Sequence, residues 1–401
     1  MPVRGEGYGR AVTGDTAVRG LLLLVVAAVL GRLVHRHLPE LVGYLVAGAL
    51  LGPSAAHLID RSDLHDLRGL TVAATALLMV LIGRRLSIGS FRSAPWIAPV
   101  AVVGYAVTSL AVLAAMRAAG ATTTLAAIVA VLAGGGAPMT VASIVRREDA
   151  TGAWPRALIG LHASCDVIVS LVFAIAFPVA VVENGMQASF GDVALQVARL
   201  GAAGAALGLG LGVSMRFLGG RLRSRRAVLA VGVGHLAVVA GLSWAAGLST
   251  PLAALALGAV VGSSPANDPA RLLFVPIRWI EPGLYVLFFA FAGAAIRFNA
   301  LPEFGAIGAV YVAARFAAKV GSGVLGGRLA SLPARAGLQI GLGSLPHAGV
   351  SAALAAAASA ALPGRGIATI TLTGIVLFEV AGSLIVRGQL RGEPVALAAE
   401  A

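Results

Sequence analysis

The chain has 401 residues, 58% of them hydrophobic and 12% charged, with a formal net charge of +13. A soluble domain carries roughly a quarter charged residues, so most of this chain has no aqueous face, and apolar runs near bilayer length recur from end to end and leave no room for a soluble domain of ordinary size. The lone Cys165 excludes a disulfide framework or a cysteine metal cluster, and the arginines gather at the ends of apolar segments instead of clustering with aromatics, which excludes a nucleic-acid surface.

Residues 1–16 are polar and glycine-rich and read as a short extracellular tail. Arg19 precedes the apolar run from Leu21 as in a signal peptide, but no small-residue cleavage site follows, so a retained first helix is expected. Thirteen membrane spans are predicted, at 17–35, 39–57, 69–87, 95–117, 122–145, 154–182, 193–217, 226–247, 250–264, 279–297, 302–326, 334–361 and 366–386. The fold class expected is an all-α polytopic membrane protein. Its transmembrane domain covers 17–390, as a first six-helix unit (17–182), a linking helix (193–217) and a second six-helix unit (226–386), before a short cytoplasmic tail at 391–401. The eighth and ninth spans meet at Gly247–Pro251 and are the pair most easily merged.

Loop charge tests the count. Nineteen arginines, from Arg32 to Arg391, follow odd-numbered spans, against nine on the other side. Positive charge stays cytoplasmic, so the N-terminus is expected outside and the C-terminus inside. This is the topology of a multi-pass protein of the cell (inner) membrane.

Two spans carry helix-breaking sequence at mid-depth. The fifth has Gly134-Gly135-Gly136-Ala137-Pro138, with Thr140 beyond it; the twelfth runs from Gly341 through Ser344, Pro346 and His347 to Gly349. Each break falls in the fifth helix of its six-helix unit, and the odd offset inverts one unit relative to the other. Paired interrupted helices in inverted repeats point to the ion site of a secondary transporter. Glycines that merely permit close helix packing are the plainer alternative.

Ionisable groups at bilayer depth are costly and need a reason. Asp166, near the middle of the sixth span, can hold a proton or a small dehydrated cation, Na+ or K+, with carbonyls of the broken helices as further ligands; a structural salt bridge is the alternative. Arg315 and Lys319 lie four apart in the eleventh span and share a face. Lys319 is the only lysine among 30 basic residues, and an ammonium can lose its proton when buried whereas a guanidinium does not. Glu379, in the thirteenth span, reads first as a structural group bonded to a neighbouring helix, with a cavity-facing position as the alternative. His162, one turn before Asp166, reads first as a hydrogen-bonded core residue and second as a proton relay. His347 occupies the second break and is open to either a lining or a structural part. No phosphate-binding glycine loop, zinc motif or nucleophile elbow appears, so neither an enzyme nor a cofactor is expected.

The run Leu38-Pro39-Glu40-Leu41-Val42-Gly43-Tyr44 through Gly48 to Gly52-Pro53 resembles the Pro-x-x-x-Gly-Tyr-x-x-x-Gly-x-x-x-Gly-Pro signature of the monovalent cation:proton antiporter-2 family, which includes Kef-type and bacterial sodium/proton exchangers. Phe288-Phe289 with Gly293, and Arg315-Phe316-Ala317-Ala318-Lys319, resemble later elements of that family in the same order. The resemblance spans about residues 17–390. It implies a dimerisation or panel domain, a mobile core, alternating access and a homodimer. It places Asp166 as the ion-binding aspartate and Lys319 or Arg315 as its basic partner. Three departures accompany it: Cys165 replaces the first acid of the family's Asp-Asp pair, Pro346-His347-Ala348-Gly349 replaces Pro-Arg-Gly-Glu, and Gly83-Arg84-Arg85 replaces Gly-Leu-Glu. Kef-type members often carry a cytosolic nucleotide-binding domain. The short tail here implies that any such regulation comes from a separate cytosolic subunit.

The expectation is an electroneutral exchanger of Na+ or K+ for H+. The rival readings are a degenerate membrane sensor or scaffold on the same fold, motivated by the lost charges, and a sodium-coupled organic-anion symporter.

Overall fold

The computed structural model describes residues 14–392, except 36–37, 86–95, 184–189, 266, 297, 299–300 and 363. Arg4, Arg10, Arg36, Arg92 and Arg297 of the charge count lie outside the described residues. The first five helices are α1 (Gly14–Val34), α2 (Glu40–Leu51), α3 (Arg61–Asp66), α4 (Arg68–Arg85) and α5 (Ile97–Ala118). The fifth predicted span is two helices, α6 (Thr123–Ala133) and α7 (Pro138–Arg147). Then come α8 (Ala153–Glu183), α9 (Phe190–Arg221), α10 (Arg225–Ala245), α11 (Thr250–Gly262), α12 (Phe274–Ala294) and α13 (Leu301–Leu329). The twelfth predicted span is also two helices, α14 (Ala334–Gly343) and α15 (Val350–Ala361), and α16 (Ile367–Arg391) closes the order.

Each predicted span thus has its helix or helix pair, and the differences are local. The second span stops at Leu51, not 57, because Gly52-Pro53 cannot continue it. The short α3 was not predicted; it is tied to α1 by the Thr16 hydroxyl, which donates to Asp63 at 2.8 Å. The tenth span begins earlier, at Phe274, behind a 3-10 turn (Pro269–Leu273) capped by the Asp268 side chain. The eighth and ninth spans are separate helices: Gly247, at φ +64°, closes α10, and Pro251 sits in the first turn of α11.

The helices sort into two groups. In each six-helix unit the first three spans pack into one layer, with α1, α2 and α4 against α10, α11 and α12; the last three pack into another, with α5–α8 against α13–α16. The pairings exchange as a two-fold arrangement requires: α2 lies on α12, α4 on α11, and α5 on α13. Apolar burial does not drive association within lipid, so close backbone approach must. The glycines supply it reciprocally. A Cβ on Gly48 would lie 2.0 Å from the Ala290 carbonyl, and one on Gly293 2.1 Å from the Leu45 carbonyl; Gly83 and Gly258 meet Leu255 and Val80 in the same way, each at 2.1 Å. The signature glycines of α2 are therefore helix contacts. Linking α9 runs along α10 and α11.

Candidate functional site

The two breaks meet. The amide of Ala348 in the second donates to the Gly136 carbonyl in the first at 3.2 Å. A helix end leaves its last carbonyls without intrahelical donors, and at bilayer depth water is not there to satisfy them. At the C-terminal end of α6 each such carbonyl has a side chain. Tyr105 donates to Val131 at 3.2 Å. Ser351 and His347 Nε2 reach Leu132 at 3.1 and 3.0 Å. Arg315 reaches Ala133 at 2.9 Å and Gly135 at 3.3 Å, and Lys319 reaches Gly134 at 2.9 Å. The third Arg315 bond, at 3.0 Å, goes to Leu345 in the second break, so one guanidinium ties both half-helix ends. Its plane also lies 4.3 Å from the Phe378 ring centroid. Both cations sit where the helix dipole is negative.

The opposite charge sits at the opposite end. Asp166 of α8 is buried, and it accepts from the Gly136 amide at 3.1 Å, at the N-terminus of α7, where a carboxylate is favoured. His162 is a strut between the breaks. Its Nδ1 accepts from the Ala137 amide at 2.9 Å, so Nε2 carries the hydrogen and donates to the Gly343 carbonyl at 2.8 Å. This geometry explains the glycine run: a Cβ on Gly136 would stand 2.8 Å from the His162 carbonyl and one on Gly135 2.0 Å from the Ser351 hydroxyl. Pro138 opens α7. Ser344 ends α14 and donates to Gly341 at 2.8 Å, and Pro346 packs against Gly382 of α16.

Asp166 lines a narrow cleft of about 30 Å³ between the two layers, with Leu41, Met79 and Tyr285 on one wall and Thr140 and Val350 on the other. Cys165 faces elsewhere, into a smaller pocket that it shares with Lys319. The expectation that unwound carbonyls would serve as cation ligands meets a different arrangement, because those of residues 131–135 already accept from side chains. The lining side chains that carry oxygen are Asp166, Thr140 and Tyr285. Among the described residues no cluster of three His, Cys, Asp or Glu side chains forms.

A family model described as "Sodium/hydrogen exchanger, transmembrane" matches residues 20–388. The chain belongs to that family. Its structure is similar to that of the sodium proton antiporter MjNhaP1 from Methanocaldococcus jannaschii at pH 8, with a TM-score of 0.74 and 16% identity, over 94% of this chain and 99% of that one. A structure of the same antiporter from an electron-microscopy map gives 0.71 at 16% identity, over 95% and 100% of the two chains. No curated protein matches. The chain is therefore a multi-pass membrane transporter of the sodium/hydrogen exchanger family and not an enzyme. Likeness at 16% identity carries the antiporter fold and no residue-level assignment.

Within this exchanger the structure adds residues that the sequence reading did not single out. Tyr105 and Ser351 cap α6. The Glu379 carboxylate, without an evident partner in the sequence, accepts through Oε1 from the Thr140 hydroxyl of α7, 239 positions away. No periodicity within either helix could have paired them.

Proposed function

We propose that the protein exchanges a monovalent cation, Na+ or K+, for H+ by alternating access, with Asp166 binding the two in turn. The observation that carries this reading is the position of Asp166. It is a buried carboxylate held at the N-terminus of a half-helix, facing the cleft between the two layers of an exchanger-family fold. A proton or one monovalent cation neutralises it equally well, and both cannot do so at once. Cys165 supports a 1:1 electroneutral count: a buried thiol stays neutral, and this one lies outside the Asp166 cleft. Under this count Lys319, whose ammonium donates to the Gly134 carbonyl at 2.9 Å, keeps its proton through the cycle. The arginine asymmetry supports an outward N-terminus and a cytoplasmic C-terminus. The exchanger is proposed to work as a homodimer, with pH and cation homeostasis as its service to the cell.

The test is reconstitution into liposomes with a pH-sensitive dye. Addition of Na+ or K+ should drive proton efflux, and Asp166→Asn, which keeps an oxygen acceptor for the Gly136 amide, should leave the protein folded while exchange stops. A folded Asn variant with normal exchange would remove Asp166 from the mechanism. Under a potassium–valinomycin clamp, the Na+ gradient at which proton flux vanishes should not move with voltage. A clear movement would overturn the single-carboxylate count.

A further inference from the structure

Buried polar atoms without partners mark places where something unseen completes the bonding. Among the described residues, Glu379 Oε2, Ser383 Oγ and His347 Nδ1 are three such atoms, the first two on α16 and the third in the second break. Glu379 is fully buried in the middle of α16. Thr140 occupies its Oε1, the backbone amide of His347 faces the same carboxyl group, and Oε2 has no hydrogen-bond partner. The charged groups it senses are Arg315, already committed to three backbone carbonyls, and Asp166. A charge here therefore lacks a dedicated counterion, which is costly at this depth.

The surroundings give that acid an outlet. Thr140 borders two cavities: the Asp166 cleft, and a second, polar vestibule of about 250 Å³ lined by Ser143, Glu148, Arg147, Ser383, Arg387 and Arg391. Ser383 is one turn beyond Glu379 on the same face of α16. The polar side chains thus run in order from the cleft: Asp166, Thr140, Glu379, Ser383, vestibule. Cleft walls elsewhere are largely apolar, with Leu78, Met79, Leu81 and Val350.

We infer that Glu379 is a proton-relay residue, passing protons between the Asp166 cleft and the vestibule through the Thr140 hydroxyl. This rests on the antiport reading and adds a path separate from the cation's. When a cation displaces the proton of Asp166, that proton moves onto cleft water and from it to Thr140 Oγ1, and the hydroxyl's own hydrogen passes to Glu379 Oε1 as the acid releases its Oε2 proton to vestibule water beside Ser383. Thr140 and Glu379 end as they began and only the Asp166 proton is moved, so the relay adds nothing to the stoichiometry. In the reverse half-cycle the same steps run backwards.

The experiment compares wild type, Glu379→Gln, Glu379→Asp and Thr140→Val in liposomes and in detergent. Wild type must show Na+- or K+-driven proton flux; its absence defeats the antiport reading itself. With wild type active, Glu379→Gln should slow exchange at least tenfold while binding of 22Na+ or 86Rb+ stays within twofold. Glu379→Asp should recover part of the rate, and millimolar azide or formate, as small diffusible proton carriers, should restore the Gln variant's flux. The voltage-independence of the flux null point should be the same in every variant that transports. A Gln variant at wild-type rate, one whose cation binding falls with its flux, or one untouched by azide and formate would overturn the relay. If Glu379→Gln does not fold, Thr140→Val decides: it removes the hydroxyl at constant shape and leaves every charge in place. It should show the same slowing, relieved by azide or formate, and an unaffected rate would sink the proposal.

Discussion

Arg315→Lys tests what holds the crossing together. The substitution keeps the positive charge and most of the stem, but it replaces a rigid five-donor fork with a single point donor. Arg315 is fully buried and bonds the carbonyls of Ala133, Leu345 and Gly135 at 2.9, 3.0 and 3.3 Å. A lysine ammonium can serve one of the two breaks but not both, so about two of the three bonds are lost. Charged hydrogen bonds contribute about 1.5–3 kcal/mol each in soluble proteins, whereas polar contacts within membrane bundles average about 0.6 and reach about 1.7 kcal/mol. The loss is therefore about 1–3 kcal/mol, weighted towards the upper end because the orphaned carbonyls have no water to turn to. The assay is thermal unfolding of the purified protein in one detergent, followed by fluorescence at the native tryptophans, with the liposome exchange rate measured alongside. Melting should fall by several degrees, and exchange should weaken even though Asp166 and its Gly136 bond are untouched. Unchanged melting and unchanged exchange would refute the bridging argument, because the charge alone would then suffice.

Gly136→Ala forces a Cβ to within 2.8–3.0 Å of His162 atoms and should cost about 1–3 kcal/mol in the same melting assay, with loss of exchange because the Asp166 amide donor must move. Hydrogen bonds from Arg391, aided by Arg387 at 2.6 Å, hold the Glu148 carboxyl below its ordinary range. That stabilisation is present above the ordinary carboxylate value and is lost as pH falls through the lowered folded value; Glu148→Gln should flatten melting temperature against pH between about 3 and 5 relative to wild type. A reporter fused after Arg391 should read as cytoplasmic and a label on residues 1–10 should be reached from outside; both termini on one side would contradict the arginine asymmetry.

How far the sequence foretold this molecule depends on the distance over which each feature is encoded. Spans are local: an apolar run flanked by arginine declares itself, and the breaks declare themselves through glycine and proline at mid-depth. The break at 134–138 and that at 344–349 were therefore legible. Helix ends were blurred where the apolar run continues past a Gly-Pro stop, as at Leu51. The pairing of charges was not legible. Lys319 and Arg315 stood out as buried cations, and the natural guess was a carboxylate partner. They are instead engaged with carbonyls about 180 positions away. A sequence shows side-chain charges but not the partial charges at the ends of interrupted helices, which exist only once the helices are broken and crossed. The Thr140–Glu379 bond joins α7 to α16 and was invisible for the same reason.

That division of charge bears on why exchange would be obligatory. Arg315 and Lys319 answer the negative ends of half-helices. The positive end of α7 meets Asp166 through the Gly136 amide. Under the proposed mechanism, a proton or a cation on that carboxylate sets the charge with which the core crosses. With a proton or one monovalent cation on Asp166, the core is balanced and can move past the opposing layer. With neither, it would carry one more negative charge through the barrier, at a cost of several kcal/mol, and each 1.4 kcal/mol slows the crossing tenfold. With both, Asp166 would be overcompensated and the cation would lose its ligand. Coupling then needs no gate that senses the cargo. It follows from one carboxylate that takes a proton or a cation in turn.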